Sequence, residues 1–280
     1  MAKESARVAD NQPIYGGLVG RDHVLDVVHE EIEDDRVRKI ESVLRNRCGS
    51  VHVLLEELED TSNGSACLRT CEAYGLQYVH VIDTKGHGKA SRGDASMSSG
   101  KWLSVKYYDS TWEPITFLKE QGFTLISAVF DVDRLPLGSC SVPNSVSIET
   151  MDFHKFDKIC LMFGSESKGL TGGLKITAHY RVFVPMQGFV SALNLSPFLS
   201  LFIYELFLQK RLSADLTDEE IGQLYRKWVC RSVAKRKNLD KELKRKLIEL
   251  SRDNPINPGR RPNRKGDQGQ LEQVDDREVV

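Results

Sequence analysis

VPMQGFVSALNLS, residues 184–196, leaves an apolar strand at Val184, breaks at Pro185 and Gly188, and reopens as a helix from Asn194. The chain on either side fits that reading. RVFVPM (181–186) has the β-branched, apolar composition of a strand. NLSPFLSLFIYELFLQKR (194–211) is a long apolar run broken by a single acid, Glu205, and reads as a buried helix. Working back toward the N-terminus, the same alternation recurs. KICLMFG (158–164) is a strand ending at a glycine, followed by the segment LTGGLKITA (170–178). TLISAVF (124–130) is a strand behind a helix over 111–121 that Gly122 closes. YVHVID (78–83) is a strand, and VKYYD (105–109) a short one. VHVLLEEL (51–58) is a buried strand, then a loop DTSNGS (60–65), then a helix SACLRTCEAYG (65–75) that stops at Gly75. Strands alternating with helices predict an α/β fold with a mostly parallel sheet flanked by helices.

The ends of the chain differ from this middle. Over 21–47, Val24, Val27, Val28, Ile32, Val37, Ile40, Val43 and Leu44 recur at near-helical spacing, with a five-residue step after Ile32, so one or two amphipathic helices are expected. Helices are also expected over 218–238 and 241–251. From 254 onward Pro, Gly and charged residues crowd out large apolars, and disorder is expected. The predicted division is a helical extension over 1–47, the α/β domain over 48–212, a basic helical extension over 213–253 and a tail over 254–280.

Net charge is −1, but it is unevenly spread. Residues 226–246 hold ten Lys/Arg against Asp240 and Glu242, while 22–35 hold seven acids. A local basic segment suits a polyanion even in a neutral chain, though a solvated helix face gives the same pattern. Tyr225 and Trp228 within it suit base stacking or, more simply, packing against the domain. No run of eighteen apolar residues is present, so no membrane span is expected, and the N-terminus lacks the apolar core of a secretory signal. The six cysteines are scattered without a Cys-x-x-Cys pair, which points to buried thiols in a reducing compartment. The cytoplasm is expected, an organelle being left open, and no metal site is expected. Cys67 and Cys71 stand one helical turn apart and read as two small buried residues. The glycine signatures of dinucleotide and P-loop sites are missing, which removes those nucleotide-binding classes.

Three blocks carry candidate chemistry. In NGSACLRTCEAYG (63–75), Asn63 sits in a strand-to-helix turn and Arg69 follows six residues later. In LMFGSESKGLT (161–171), a strand ends at Gly164, with Glu166 and Gly169 in the turn. The third is VPMQGFVSALNLS itself. Open α/β sheets bind ligands where strands end, so the three strand ends predict one shared pocket. Each residue also has a plainer role: Asn63 and Asn194 as helix N-caps, Arg69 in a surface ion pair, Glu166 as a solvated turn carboxylate.

In this order and spacing the blocks resemble the three signature motifs of the SpoU/TrmH family of RNA ribose methyltransferases, within the SPOUT superfamily. Asn63, Arg69 and Thr70 match the first motif; Gly164, Glu166 and Gly169 the second; Pro185, Met186, Gly188, Leu193, Asn194 and Ser196 the third, with Val184 for its isoleucine. The resemblance covers residues 50–211, and VAKRKNL (233–239) is similar to the C-terminal region of the tRNA guanosine-18 members. It implies a deep C-terminal trefoil knot, a homodimer with shared active sites, and methyl transfer from S-adenosyl-L-methionine to a ribose 2′-hydroxyl of RNA. tRNA is favoured; an rRNA methyltransferase or a catalytically weak RNA-binding member are the alternatives. The implied catalytic set is Arg69, Asn63, Glu166 and Asn194. Ala128, Phe163, Gly164, Val184, Met186 and Leu193 take the cofactor-binding positions. Arg69 would act on the ribose hydroxyl, and since a free guanidinium has a pKa above ~12, orienting the hydroxyl and its phosphate is the role expected of it. Two departures stand out. Ala192 replaces the third motif's serine, with Ser191 one residue earlier, and the stretch before Asn63 is the acidic EELEDTS (56–62), expected to affect how RNA approaches.

Overall fold

A computed structural model describes residues 14–85, 100–130, 145–190, 192–234, 236 and 239–252. Its centre is a seven-stranded sheet of β1 (Cys48–Glu56), β2 (Leu76–Ile82), β3 (Ser104–Tyr108), β4 (Thr124–Phe130), β5 (Ser145–Ser147), β6 (Ile159–Phe163) and β7 (Tyr180–Val184). The order is β3-β2-β1-β6-β4-β7-β5, and every pair is parallel. Eight helices flank it among the described residues: α1 (His23–Glu31), α2 (Asp34–Leu44), α3 (Thr61–Ala73), α4 (Trp112–Glu120), α5 (Gly172–Thr177), α6 (Leu195–Leu208), α7 (Asp218–Val233) and α8 (Lys241–Arg252).

A parallel sheet must be covered on both faces, and its central strands are mostly apolar for that reason. Cys67, Leu68 and Cys71 of α3 and Phe198, Leu199, Phe202, Ile203 and Leu206 of α6 fill one face. Ile115 and Leu118 of α4 and Leu174 of α5 fill the other. The terminal helices build a third cluster of their own, in which Leu25, Val28, Ile40 and Leu44 pack against Leu224, Tyr225, Trp228 and Val229. Arg47, 1% exposed, joins that cluster to the sheet: its guanidinium donates to the Leu76 carbonyl at 3.0 Å and the Glu72 carboxylate at 3.0 Å, with the Trp228 ring 5.2 Å away.

Several expectations change at this level. The five-residue step after Ile32 is a break, giving two helices. The segment 170–178 holds the short helix α5, and α3 begins four residues before the expected Ser65, because Asp60 caps it by accepting from Ser62 N at 2.7 Å. α6 is not wholly buried: Leu201, Tyr204, Phe207 and Leu208 are 41–55% exposed. A helix apolar all round gives no periodicity from which an open face can be read. Cys67 and Cys71 are fully buried, as expected, and the five described cysteines are free thiols. Cys140, Ser191, most of the Gly/Ser-rich loop before Gly100 and the 254–280 tail lie outside the described residues. Among the described residues no helix is long and apolar enough to cross a membrane.

Candidate active site

All seven strands run the same way, so their C-terminal ends share one rim. β1 and β6 are direct neighbours, paired from Val51↔Ile159 to Leu55↔Phe163. The first block leaves β1 and the second leaves β6, so their residues emerge side by side. Strand order also reverses here: the chain runs outward from β1 to β2 and β3, while β6 and β4 lie on the other side. That is the crevice where α/β sheets bind ligands.

The second block is a tight loop folded on its own strand. Gly169 N donates to Ser165 O at 2.8 Å, and Gly169 takes a left-handed φ of 64° that disfavours other residues. A Cβ on Gly164 would lie 1.9 Å from the Gly169 carbonyl carbon, so the glycine is needed for backbone to pass backbone.

Asn63 and Glu166 meet directly. Asn63 Nδ2 donates to Glu166 Oε1 at 2.8 Å across 103 residues of sequence, and Glu59 N donates to Glu166 Oε2 at 3.3 Å. Glu166 is therefore not a free turn carboxylate but the tie between blocks one and two. Asn63 is not the helix cap, since Asp60 fills that role. Arg69 lies on the exposed face of α3, and among the described residues its side chain makes no hydrogen bond or ion pair. The surface ion pair allowed for it is thus not formed.

The acidic stretch before Asn63 turns its carboxylates to internal tasks. Glu56, 1% exposed, accepts from Thr171 N and Thr171 Oγ1, both at 2.8 Å. Burial pushes its carboxyl above the usual range while the Thr171 bonds pull it back. Glu57 accepts from Thr84 N at 2.9 Å, and Glu59 accepts from Ser167 Oγ. Glu56 and Glu59 tie the second block to β1 and to the loop before α3, and Glu57 ties the end of β1 to the residue pair that follows β2. Glu56 and Thr171 escaped the sequence reading. The available signal was a carboxylate closing an otherwise apolar buried strand, which demands a partner.

Asn194 precedes α6 with its carbonyl accepting from Phe198 N at 3.0 Å, but its exposed side chain makes no cap bond. Ala192, also exposed, sits beside it, and Phe189 and Val190 in the same loop are fully and largely exposed. The cofactor positions fall on three neighbouring strands and the third-block loop. Ser127 pairs with Met162 and Ala128 with Val182, so Ala128, Phe163 and Val184 end within about two rungs of each other. Ala128 and Phe163 are buried; Val184, Met186 and Leu193 are half-buried, and Val184 and Leu193 also touch the core.

The basic stretch divides. Arg226 pairs with Asp22, and Arg236 with Glu31 at 3.1 Å, so part of its charge is neutralised by the acidic N-terminal helices. Tyr225 and Trp228 are buried in the helical cluster, the packing reading rather than the stacking one. Lys235, Lys237 and Asn238 lie outside the described residues.

The family model of the SpoU rRNA Methylase family matches residues 50–204. The tRNA (guanosine(18)-2′-O)-methyltransferase of Thermus thermophilus is 31% identical over 191 residues, covering 67% of this chain and 89% of the relative. The protein of the same name from Borreliella burgdorferi is 27% identical over 190 residues, 68% of this chain and 81% of the relative. Among solved structures, the A. aeolicus TrmH/SpoU tRNA modifying enzyme superposes with a TM-score of 0.58 at 22% identity, covering 74% of this chain and 98% of that one, so the fold is shared.

Proposed function

Since the chain belongs to the SpoU rRNA methylase family, we propose that it methylates a ribose 2′-hydroxyl of RNA with S-adenosyl-L-methionine, tRNA at guanosine-18 being the favoured substrate. The observation that carries this reading is the Asn63–Glu166 hydrogen bond, which joins two of the three signature blocks at the C-terminal ends of paired strands. The tRNA assignment draws on the guanosine-18 methyltransferases that the chain resembles over two thirds of its length.

The residues at the rim fit the cofactor. Half-buried Val184, Met186 and Leu193 beside buried Ala128 and Phe163 offer an apolar wall for an adenine. S-adenosyl-L-methionine supplies an electrophilic sulfonium methyl. The protein's part is to hold the 2′-oxygen in line with it, a positioning effect that reaches ~7–11 kcal/mol in ideal cases. Arg69, unpaired among the described residues, orients the ribose hydroxyl and the adjacent phosphate as the proton leaves. Glu166 and Asn63 fix the loops around it, and Asn194 presents a free amide from the third block.

A homodimer belongs to the same proposal. The exposed apolar stripe Leu201, Tyr204 and Leu208 on α6, with Phe189 and Val190 in the third-block loop, supports it. A deep knot also belongs to it, supported by β6 filling the slot between β1 and β4 and by Gly164 packed flush on the Gly169 backbone. A division into an α/β domain over 48–212 and terminal helical extensions follows the three apolar clusters.

Methyl-labelled S-adenosyl-L-methionine, the full chain and total tRNA are expected to yield label on ribose. Total rRNA serves as the second arm and is expected to stay unlabelled. Ala192, where the family has serine, favours one rival, an RNA-binding member without catalysis. Cofactor binding by calorimetry with no transfer to either RNA would decide for that rival.

A further inference from the structure

A cleft of about 250 Å³ opens far from the motif blocks, between the terminal helices and the edge of the sheet. Its floor is Trp102, just before the N-terminal end of β3, the edge strand, whereas the three blocks leave the C-terminal ends. Arg36, Lys101, Arg231 and Arg236 line it, with Glu33 the single acid among the lining residues. Arg36 and Lys101 each lie 5.0 Å from the Trp102 ring, and Trp102 is held edge-on against buried Trp228 at 5.3 Å.

Two of the arginines, Arg36 and Arg231, keep donors open to the cleft. Arg236 is offset by Glu31. Arg36 makes no hydrogen bond or ion pair among the described residues. Arg231 is half-buried, its side chain's one hydrogen bond there being Nη1 to the Lys101 carbonyl at 3.0 Å, and burial pulls its guanidinium below the usual value. A guanidinium carries five donors, and those that Arg36 and Arg231 do not use within the protein are open to the cleft, where an anion can accept from several at once. The opening falls short of the ~300–1,000 Å³ usual for small-molecule sites, and its lining is too cationic for an apolar ligand. Phosphate matches the arginine fork.

We propose that this cleft grips a backbone phosphate of the RNA substrate, anchoring it at the end of the sheet opposite the methyl-transfer site. It rests on the reading of the protein as an RNA methyltransferase, and it adds where a large substrate is held. A macromolecule spans both ends of the sheet; a free nucleotide does not. The cleft exists only where α1–α2 and α7 pack together, since its lining comes from both sides.

The test uses the full chain and tRNA. Arg36 is exposed, so Arg36→Gln leaves the fold intact, which thermal melting checks; Arg231→Gln is the second variant. Each is expected to weaken tRNA binding roughly tenfold and to lower the slope of log affinity against log salt by ~0.7–0.9, the loss of one phosphate contact. The tRNA KM should rise in parallel while the methyl-transfer rate of the bound complex holds, and Arg36→Lys should restore part of the affinity. Inorganic pyrophosphate should compete with tRNA for the wild type more than for the variants. Wild-type affinity and salt slope in both folded variants would overturn the anchor. So would a wild-type chain that binds no RNA. If tRNA binds in this pattern but no methyl is transferred, the anchor stands and the catalytic reading fails.

Discussion

At the scale of single residues, the protein sorts its charges by what meets them. Arg69 makes no hydrogen bond or ion pair among the described residues, and the proposed function gives it to the substrate. Arg69→Ala is therefore expected to cut methyl transfer by at least ~100-fold without changing the melting temperature, because a positioning group is lost but no internal contact is. Transfer at the wild-type rate would remove Arg69 from the site. Glu166 is the opposite case, since Asn63 and Glu59 N both donate to it. Glu166→Ala should loosen the second block and weaken S-adenosyl-L-methionine binding, read by calorimetry, and unchanged affinity would contradict its role as the tie. In the core, His52 Nδ1 and His80 Nε2 lie 2.9 Å apart, and His80 Nδ1 lies 2.9 Å from the Tyr108 hydroxyl. Burial holds both rings below their ordinary 6.5, His80 at about 3. The unfolded chain thus takes up protons that the folded one refuses. Stability from this pair is complete above pH 6.5 and declines as pH falls toward 3, by up to ~1.4 kcal/mol per unit per histidine. Urea unfolding at pH 7.5 and 5 should show this loss, and His80→Gln should flatten it; an equal slope in both proteins would rule the pair out.

Elements show how far sequence reaches. Gly164 was legible as a close-approach glycine, and the backbone it meets proves to be its own loop's. Gly164→Ala should leave that loop unable to close, abolishing cofactor binding, whereas Gly122→Ala, with open space around its Cβ, should cost only the strain of its positive φ. Calorimetry and melting curves of the two distinguish them. The alternation of strands and helices was legible because a doubly covered parallel sheet needs apolar strands and separate helices. The order β1-β6-β4 was not, because the pairing that sets it, β1 with β6, spans 108 residues from Val51 to Ile159 and leaves no local trace. Nor was the burial of Glu56 or the bond of exposed Glu59 to Ser167, since a run of acids looks the same whether its carboxylates face water alone or hold a loop. The opposite charges of residues 22–35 and 226–246 were visible in the sequence, but their pairing through Arg226–Asp22 and Arg236–Glu31 needed the fold.

For the whole molecule, helices α1 and α2 close on α7 and α8, and Arg47 joins that cluster to the sheet. Methyl transfer is assigned to one rim of the sheet and RNA anchoring to the other end. The open stripe on α6 predicts a dimer. Tyr204→Lys with Leu201→Lys should shift light scattering from dimer to monomer and, with the partner's contribution gone, reduce transfer; a wild-type chain that is monomeric at micromolar concentration would contradict this. The central claim is the chemistry itself, and nucleoside mass spectrometry of tRNA after reaction reads it most directly. The account predicts one added methyl on a ribose, found as 2′-O-methylguanosine at position 18. A methyl on a base, or none on tRNA that the protein demonstrably binds with S-adenosyl-L-methionine present, would contradict it.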